Sequence, residues 1–451
     1  MIKKRVRTRP RLATGIASAL VVASVLVVTI LAESSVQQVV PASAAPDRFS
    51  AQRALAELER FATQPRPLGS PASDEARRYL VDRLRGAGLQ VEVQHSVGVR
   101  SAAGLATFGR VDNIVATLPG RNPTGTVVLA AHYDSASMGP GASDDGASVA
   151  ALLETVRSLC GDAQLRNDLV LLVTDGEEDG SIGAEAFIRE HPLARHGGIV
   201  LNWEARGVDG PSLMFETSPG NAGIVGLYTA SVPHPRGDSS LGEFYRALPN
   251  SSDFSTLRRA GFVGMNFAFV DGAARYHTAS DSIANLEPGS LQHHGETMLA
   301  LARAFGDADI PSLGADHDLV HFRLMGADLS YPDALVRPLA GLALLLLAGL
   351  VVLARARRAA EPGRILVGAL TAVIPLLLSV VLAQALWSFL VAVRPGYDMM
   401  GGLLHRPLAY ELAIGAISVF ALGAWYLALR RRLGPVALGI GALTWFAALG
   451  L

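Results

Sequence analysis

Cysteine is almost missing from this chain: among 451 residues there is one, Cys160. No intrachain disulfide can form, so any domain on the oxidising side of a membrane must rest on its core and not on cross-links. Cys160 follows SVAALLETVRSL and falls on the apolar side of an expected helix, which reads as a buried, inert thiol. Charge is also sparse and balanced, with 18% charged residues and a net charge of -1. That removes the electrostatic footprint of a nucleic-acid binder. The chain has no HExxH, no CxxC and no GxSxG, and GASDDG lacks the lysine and spacing of a phosphate-binding P-loop. These absences disfavour a single-metal helix-borne protease and a serine hydrolase.

Long apolar runs, by contrast, are plentiful: half of the residues are hydrophobic and the mean hydropathy is +0.32. MIKKRVRTRPR at 1–11 carries six positive charges and leads into LATGIASALVVASVLVVTILA. That run suffices for a membrane-crossing helix and exceeds the roughly 7–15 residues of a signal-peptide core. It reads as an uncleaved anchor over 12–32 behind a cytoplasmic basic tail, with ASA inside PASAAP (41–46) as the alternative cleavage site. Residues 33–46 are expected to be a flexible linker. Apolar stretches at 338–354, 364–393, 408–429 and 434–451 predict a membrane region over 338–451 with about four helices. The last stretch reaches Leu451 without a polar tail, as a truncated chain would. With the first tail inside, successive crossings put RARR (355–358) and Arg430 to Arg432 inside as well, and residues 47–337 on the extracytoplasmic side. Gln384 and Glu411 are the main polar groups of these runs, too few for a solute pathway, so anchoring is the plainer role.

Residues 47–337 are mixed in polarity and hold ten of the eleven histidines. Helical periodicity marks 50–60 and 71–86, QVEVQHSV alternates like an edge strand, and VDNIVATLP and TVVLAAHYD read as adjacent strands. A helix over 146–160 separates TVVLAAHYD from DLVLLVTDG; GIVLNWEA, SLMFETS and GFVGMNFAFV are further strands. Wholly apolar strands alternating with helices predict an α/β domain, with a mostly parallel or mixed central sheet flanked by helices. Ligands of such sheets gather beyond the carboxyl ends of the strands.

That is where imidazoles and carboxylates collect. His132 and Asp134 follow TVVLAA, Asp144 and Asp145 occupy the next turn, Glu177 and Glu178 follow LLVTDG, Glu204 follows IVLNW, and His277 comes after the last strand. Taken singly, HYD, DDG and EE are ordinary turns or solvated faces; five such segments in order, each after a strand, point to a metal site. Mixed nitrogen and oxygen donors suit zinc and tolerate manganese or cobalt. So many carboxylates repel one another when empty, which favours two cations, although composition alone does not count them. His293 and His294 fall in a predicted helix without a nearby acidic pair. RGD at 236–238 is too common a triplet to carry an adhesion reading, and Arg258 and Arg259 read as a charged helix face.

The ordered series HYDS, GASDDG, DGEEDG, NWEA and YHTASD resembles the co-catalytic zinc aminopeptidase family, and the added membrane helices resemble its vacuolar membrane protease and endoplasmic reticulum metallopeptidase branch. The resemblance covers about 50–305. It implies two zinc ions, with His132 and Glu204 serving one, Glu178 and His277 the other, and Asp144 bridging both. It further implies Glu177 as the general base, Asp134 holding the second ring nitrogen of His132, Asp281 supporting the His277 side, and a cis peptide between Asp144 and Asp145. The implied activity is a membrane-anchored metallopeptidase, of aminopeptidase type, acting on peptides; the same metal pair also serves carboxypeptidases and amidases. Specificity is expected in 206–260, where PHPRGDSSLGEFYRALPNSSDF can form a pocket wall or lid. The rival readings are a non-catalytic receptor or scaffold of the same shape, and a single-zinc glutaminyl cyclase-like enzyme. The partners implied are a peptide substrate and the lipid bilayer, with no nucleic acid; oligomeric state is not legible.

Overall fold

Strands apolar at nearly every position must be covered on both faces, and alternate residues of each must then enter two different cores. The computed structural model, which describes residues 24, 25, 29, 33, 35–102, 104–161, 163–248, 251–400 and 403–449, has this arrangement. The expected tail 1–11 lies outside the described residues, as does the 12–32 anchor apart from Ser24, Val25 and Thr29. The chain divides into two compact units, 1–331 and 332–451.

In the first unit, α1 (Ala51–Phe61) and α2 (Pro71–Gly86) precede β1 (Gln90–Ala102), β2 (Leu105–Leu118) and β3 (Thr126–His132). Then follow α3 (Ser148–Leu159), β4 (Asp168–Thr174), α4 (Ile182–Glu190), β5 (Ile199–Ala205), β6 (Leu213–Thr217), α5 (Ala222–Ser231), α6 (Ser239–Ala247), α7 (Asp253–Arg259), β7 (Val263–Phe269) and α8 (Pro288–Asp307). A small two-stranded sheet, β8 (Leu319–Leu324) and β9 (Ala327–Pro332), ends it. Serine side chains cap both opening helices, Ser50 accepting from Arg53 N–H and Ser70 from Ser73 N–H.

The main sheet has the order β1-β2-β4-β3-β5-β7-β6. Strands β4, β3, β5 and β7 are parallel, while β1, β2 and β6 add antiparallel edges, so the sheet is mixed. Val127, Leu129, Leu171 and Leu201 enter one core with α1, α3 and α8. Their neighbours Val128, Ala130, Leu172 and Val200 enter the other with Phe187, Phe254 and Leu257. One expectation is corrected: β2 and β3 are not neighbours, because the crossover through α3 brings the wholly apolar β4 between them. Cys160 is also corrected: it lies one residue past the end of α3 and is exposed, its thiol meeting the Ala87 carbonyl.

The 33–46 segment does not run free. Gln292 accepts from Val40 N–H, and Arg53 donates to the carbonyls of Ala42 and Ala44. Phe49 then packs where a side chain at Gly295 would otherwise stand.

The second unit contains α9 (Val336–Ala356), α10 (Pro362–Thr371), α11 (Val373–Val393), α12 (Leu408–Leu433) and α13 (Pro435–Leu449). Among the described residues, three stretches are long and apolar enough to cross a membrane: Asp333–Ala356, Pro362–Val393 and Leu408–Leu433. The chain is thus built as an integral membrane protein. The fourth expected run forms the apolar helix α13, of 15 described residues.

Candidate metal centre

Parallel pairing places the ends of β3, β4, β5 and β7 along one edge, and the acidic turns follow from there. His132 is the last residue of β3, Glu204 the penultimate residue of β5, Glu177 and Glu178 lie in the turn after β4, and His277 follows β7. Asp144 and Asp145 occupy a tight turn, Ala142–Ala147, entered through Gly141 at φ 57°. A Cβ at Gly141 would overlap the Asp144 carbonyl, so this corner requires glycine for both conformation and space. The Asp144–Asp145 peptide bond is cis.

The side chains converge around Asp144. Its Oδ1 lies 3.4 Å from His132 Nε2 and its Oδ2 lies 3.1 Å from His277 Nε2. Glu204 Oε2 is 3.6 Å and Glu177 Oε2 3.9 Å from His132 Nε2, while Glu178 Oε2 is 2.8 Å from His277 Nε2. Two groups of donor atoms each fall within 4.8 Å: His132, Asp145 and Glu204 in one, Asp144, Glu178 and His277 in the other. Of the adjacent aspartates, Asp145 turns Oδ2 to the backbone N–H of His132 at 3.1 Å, whereas Asp144 faces both imidazoles. His132 Nε2 is fully buried without a formed hydrogen bond. A buried imidazole nitrogen with no hydrogen-bond partner among the described residues, ringed by carboxylates, fits a cation, and the two donor sets fit a pair of zinc ions.

The frame behind these groups is polar and specific. Asp134 lies 3.3 Å from His132 Nδ1, and its two oxygens accept from Glu177 N–H and Glu178 N–H at 3.2 Å each. Asp281 accepts from Ser143 N–H at 2.7 Å and Asp144 N–H at 3.1 Å, so it steadies the aspartate turn, while its own N–H donates to the carbonyl of Thr278, next to His277. His277 itself sits at φ 57°, a left-handed conformation uncommon outside glycine and the kind of strain found at functional sites.

The carboxylates and imidazoles hold one another in unusual ionisation states. Burial alone would lower His277, but Asp144 and Glu178 lift it to about 9. Burial would also lower His132, and Asp134, Asp144 and Glu204 overcome it to raise the ring well above its usual range. Asp144 falls to about 2, the two imidazoles outweighing its burial, whereas burial and Asp144 push Glu178 up to about 7. Glu177 is raised well above normal by burial and then by Glu204.

Sequence reasoning missed several neighbours. Arg66, wholly buried, donates to the Tyr133 and Gly141 carbonyls and so ties the two acidic turns together; nothing in its local PRP context announces that. Asp253 is buried against Thr174 with its other oxygen unpartnered. Tyr245 and Ser252, from the segment expected to wall the pocket, do line the cavity over the metal donors. His293 and His294 are core histidines: His294 meets the hydroxyls of Ser148 and Ser212, and His293 accepts from Ser212 N–H.

A mixed sheet with two imidazole-carboxylate clusters at its carboxyl edge, and Asp144 within 3.4 Å of both imidazoles, defines the class of dinuclear metal-site α/β proteins. Residues 113–302, which lie within this unit, match the family model of Peptidase family M28. The chain is 30% identical to Endoplasmic reticulum metallopeptidase 1 of Homo sapiens over 328 residues, covering 67% of this chain and 36% of that protein. It is 28% identical to a Vacuolar membrane protease of Candida dubliniensis, covering 61% of this chain and 30% of that one. The chain therefore spans about a third of the length of these relatives. Among solved structures, an aminopeptidase from Aneurinibacillus sp. strain AM-1 aligns with a TM-score of 0.49 and 14% identity, over 59% of this chain and 96% of that one.

Proposed function

We propose that the chain is a membrane-anchored dinuclear zinc metallopeptidase of aminopeptidase type. His132 and Glu204 would hold one zinc and Glu178 and His277 the other, with Asp144 serving both; Asp134, Asp145 and Asp281 would support these ligands from behind. The observation that carries this reading is the Asp144 carboxylate facing an imidazole on each side, at 3.4 and 3.1 Å. Zinc bound there supplies Lewis acidity towards the scissile carbonyl and brings the pKa of a water towards neutrality.

Glu177 lines the cavity without belonging to either donor cluster, so its carboxylate is left for proton transfer. It accepts a proton from the attacking water and returns it to the leaving amine. A free α-amino group, being cationic, suits a cavity lined by Glu177, Glu178 and Glu204. Hydrolysis of free against N-acetylated peptides, with metal analysis of the same preparation, tests this. Cleavage of the free peptides with two metal ions per chain is expected. Equal cleavage of acetylated peptides would sink the aminopeptidase assignment, and a single metal ion would favour cyclase-like chemistry.

The proposed organisation is a tail at 1–11, an anchor at 12–32, a connecting segment at 33–46, the peptidase domain at 47–337 and the membrane region at 338–451. The peptidase domain is assigned to the extracytoplasmic side. The basic clusters at 1–11, 355–358 and 430–432 support that orientation. Cys160 offers the test, being the one cysteine and exposed. A membrane-impermeant maleimide should label it in intact cells, and labelling only after lysis would reverse the topology.

A further inference from the structure

The cavity over the metal donors, about 250 Å³, is sorted by charge. Its inner part presents Asp144, Glu177, Glu178 and Glu204, while Arg100 and Arg206 line it from exposed positions. Arginine beside so many carboxylates ordinarily pairs with one of them. Among the described residues, no carboxylate lies within ion-pair distance of either guanidinium.

Each is held instead by a partner that leaves its N–H donors available. Arg100 comes from the outer end of β1, beyond the cross-strand pair Gly98 and Gly109, and its guanidinium lies against Gly180 so closely that a Cβ there would overlap it. Arg206, two residues past Glu204, lies 5.0 Å from the ring centroid of Tyr276. Tyr276 in turn stacks on His277 with 3.7 Å between ring centroids. A guanidinium fixed over a ring or a glycine keeps its planar fork open for a carboxylate.

We infer that Arg100 and Arg206 form a carboxylate-recognising rim, and that the site prefers short peptides carrying a carboxylate close to the scissile bond. The inference rests on the peptidase reading and adds the substrate class to it. A short zwitterionic peptide has the polarity of the cavity: its ammonium end matches the inner carboxylates and its anionic end matches the rim. The anion comes either from the free C-terminus of a very short peptide or from an acidic side chain next to the cleaved bond.

Three peptides separate these sources when tested on the purified full chain in detergent with zinc: alanylalanine, alanylalanine amide, and alanyl-aspartyl α-amide. Alanylalanine is expected to exceed its amide by about tenfold in kcat/KM, expressed mainly in KM, as for a hydrogen-bonded charge near solvent. The ratio should fall towards one in the double variant Arg100→Gln, Arg206→Gln; both positions are exposed, so the core is untouched. If the aspartyl amide regains the higher value, a side-chain carboxylate serves; if it does not, the rim reads the C-terminus. A ratio near one in the unmodified chain, or an unchanged ratio in the double variant, overturns the inference. Titration calorimetry on Glu177→Gln with the same peptides reads the preference without turnover. Tighter binding of alanylalanine than of its amide to this variant, when the unmodified chain cuts neither peptide, would refute the peptidase reading and leave the rim standing, whereas equal binding of dipeptide and amide would overturn the rim.

Discussion

The Asp134 carboxylate lies 3.3 Å from Nδ1 of His132, two residues before it in the chain. The same carboxylate accepts the backbone N–H groups of Glu177 and Glu178, so one buried anion sets the orientation of an imidazole and of the glutamate turn facing it. Groups that orient a metal ligand in this way typically change metal affinity by about 10–100-fold when removed. Asp134→Asn should therefore weaken zinc binding by about that factor in a chelator competition, and Asp134→Ala by more. Zinc retention equal to the unmodified chain would mean that the turn is held by other contacts.

The two adjacent glutamates should separate cleanly. Glu178 Oε2 meets His277 Nε2 at 2.8 Å inside one donor cluster, whereas Glu177 stands outside both clusters. Glu177→Gln should lower kcat by about 10²–10⁴-fold, the range of a lost general base, with metal content unchanged. Glu178→Gln should lose metal as well as activity. Loss of zinc in the Glu177 variant, measured by elemental analysis, would make Glu177 a ligand and reverse the assignment.

What the sequence made legible follows from how strongly each feature is coded locally. Apolar strands ending in His132, Thr174 and Ala205 announce a buried sheet, and the rule that ligands gather at strand ends then collects His132, Asp144, Glu178, Glu204 and His277. Strand order is less local: VDNIVATLP and TVVLAAHYD are sequential and apolar, yet β4 separates them because the crossover of α3 decides the neighbour. Contacts to backbone groups leave no residue pattern, which is why neither Asp281 beneath the Asp144 N–H nor Arg66 against the Tyr133 carbonyl is legible in the sequence. Cys160 shows the limit of helical periodicity, since the helix stops one residue before it and the face it was assigned to ends there.

The core histidines set a pH limit on the first unit. Burial lowers His293 to about 4 and His294 to about 3, and both are neutral partners of Ser212. Unfolded, each ring takes a proton near pH 6.5, while the folded ring does not until its own depressed value is reached. Stability from the pair is therefore present above pH 6.5 and declines as pH falls, by about 1.4 kcal/mol per pH unit for each ring. Denaturant midpoints between pH 7.5 and 5 should fall accordingly, and the slope should shrink in His294→Gln even if that variant is less stable throughout. A slope identical in both chains would assign the acid sensitivity to other groups.

The segment before α1 depends on one missing side chain. Gly295 lies in α8 beneath Phe49, and a Cβ there would penetrate the phenyl ring. Helix propensity alone makes glycine to alanine favourable by about 1 kcal/mol in an open helix. Here the ring must leave its place, and overpacking of this kind costs about 1–3 kcal/mol, so the packing effect wins and Gly295→Ala destabilises. Moving Phe49 also disturbs its neighbour Ser50, whose hydroxyl donates to the Val40 carbonyl at 2.8 Å while Gln292 accepts from Val40 N–H at 3.0 Å. The variant should therefore be cut by trypsin at Arg48 faster than the unmodified chain, with a lower Tm and unchanged zinc content. Unchanged cleavage at Arg48 would show that the 35–50 segment is fastened by Gln292 and Arg53 without help from the Phe49 ring.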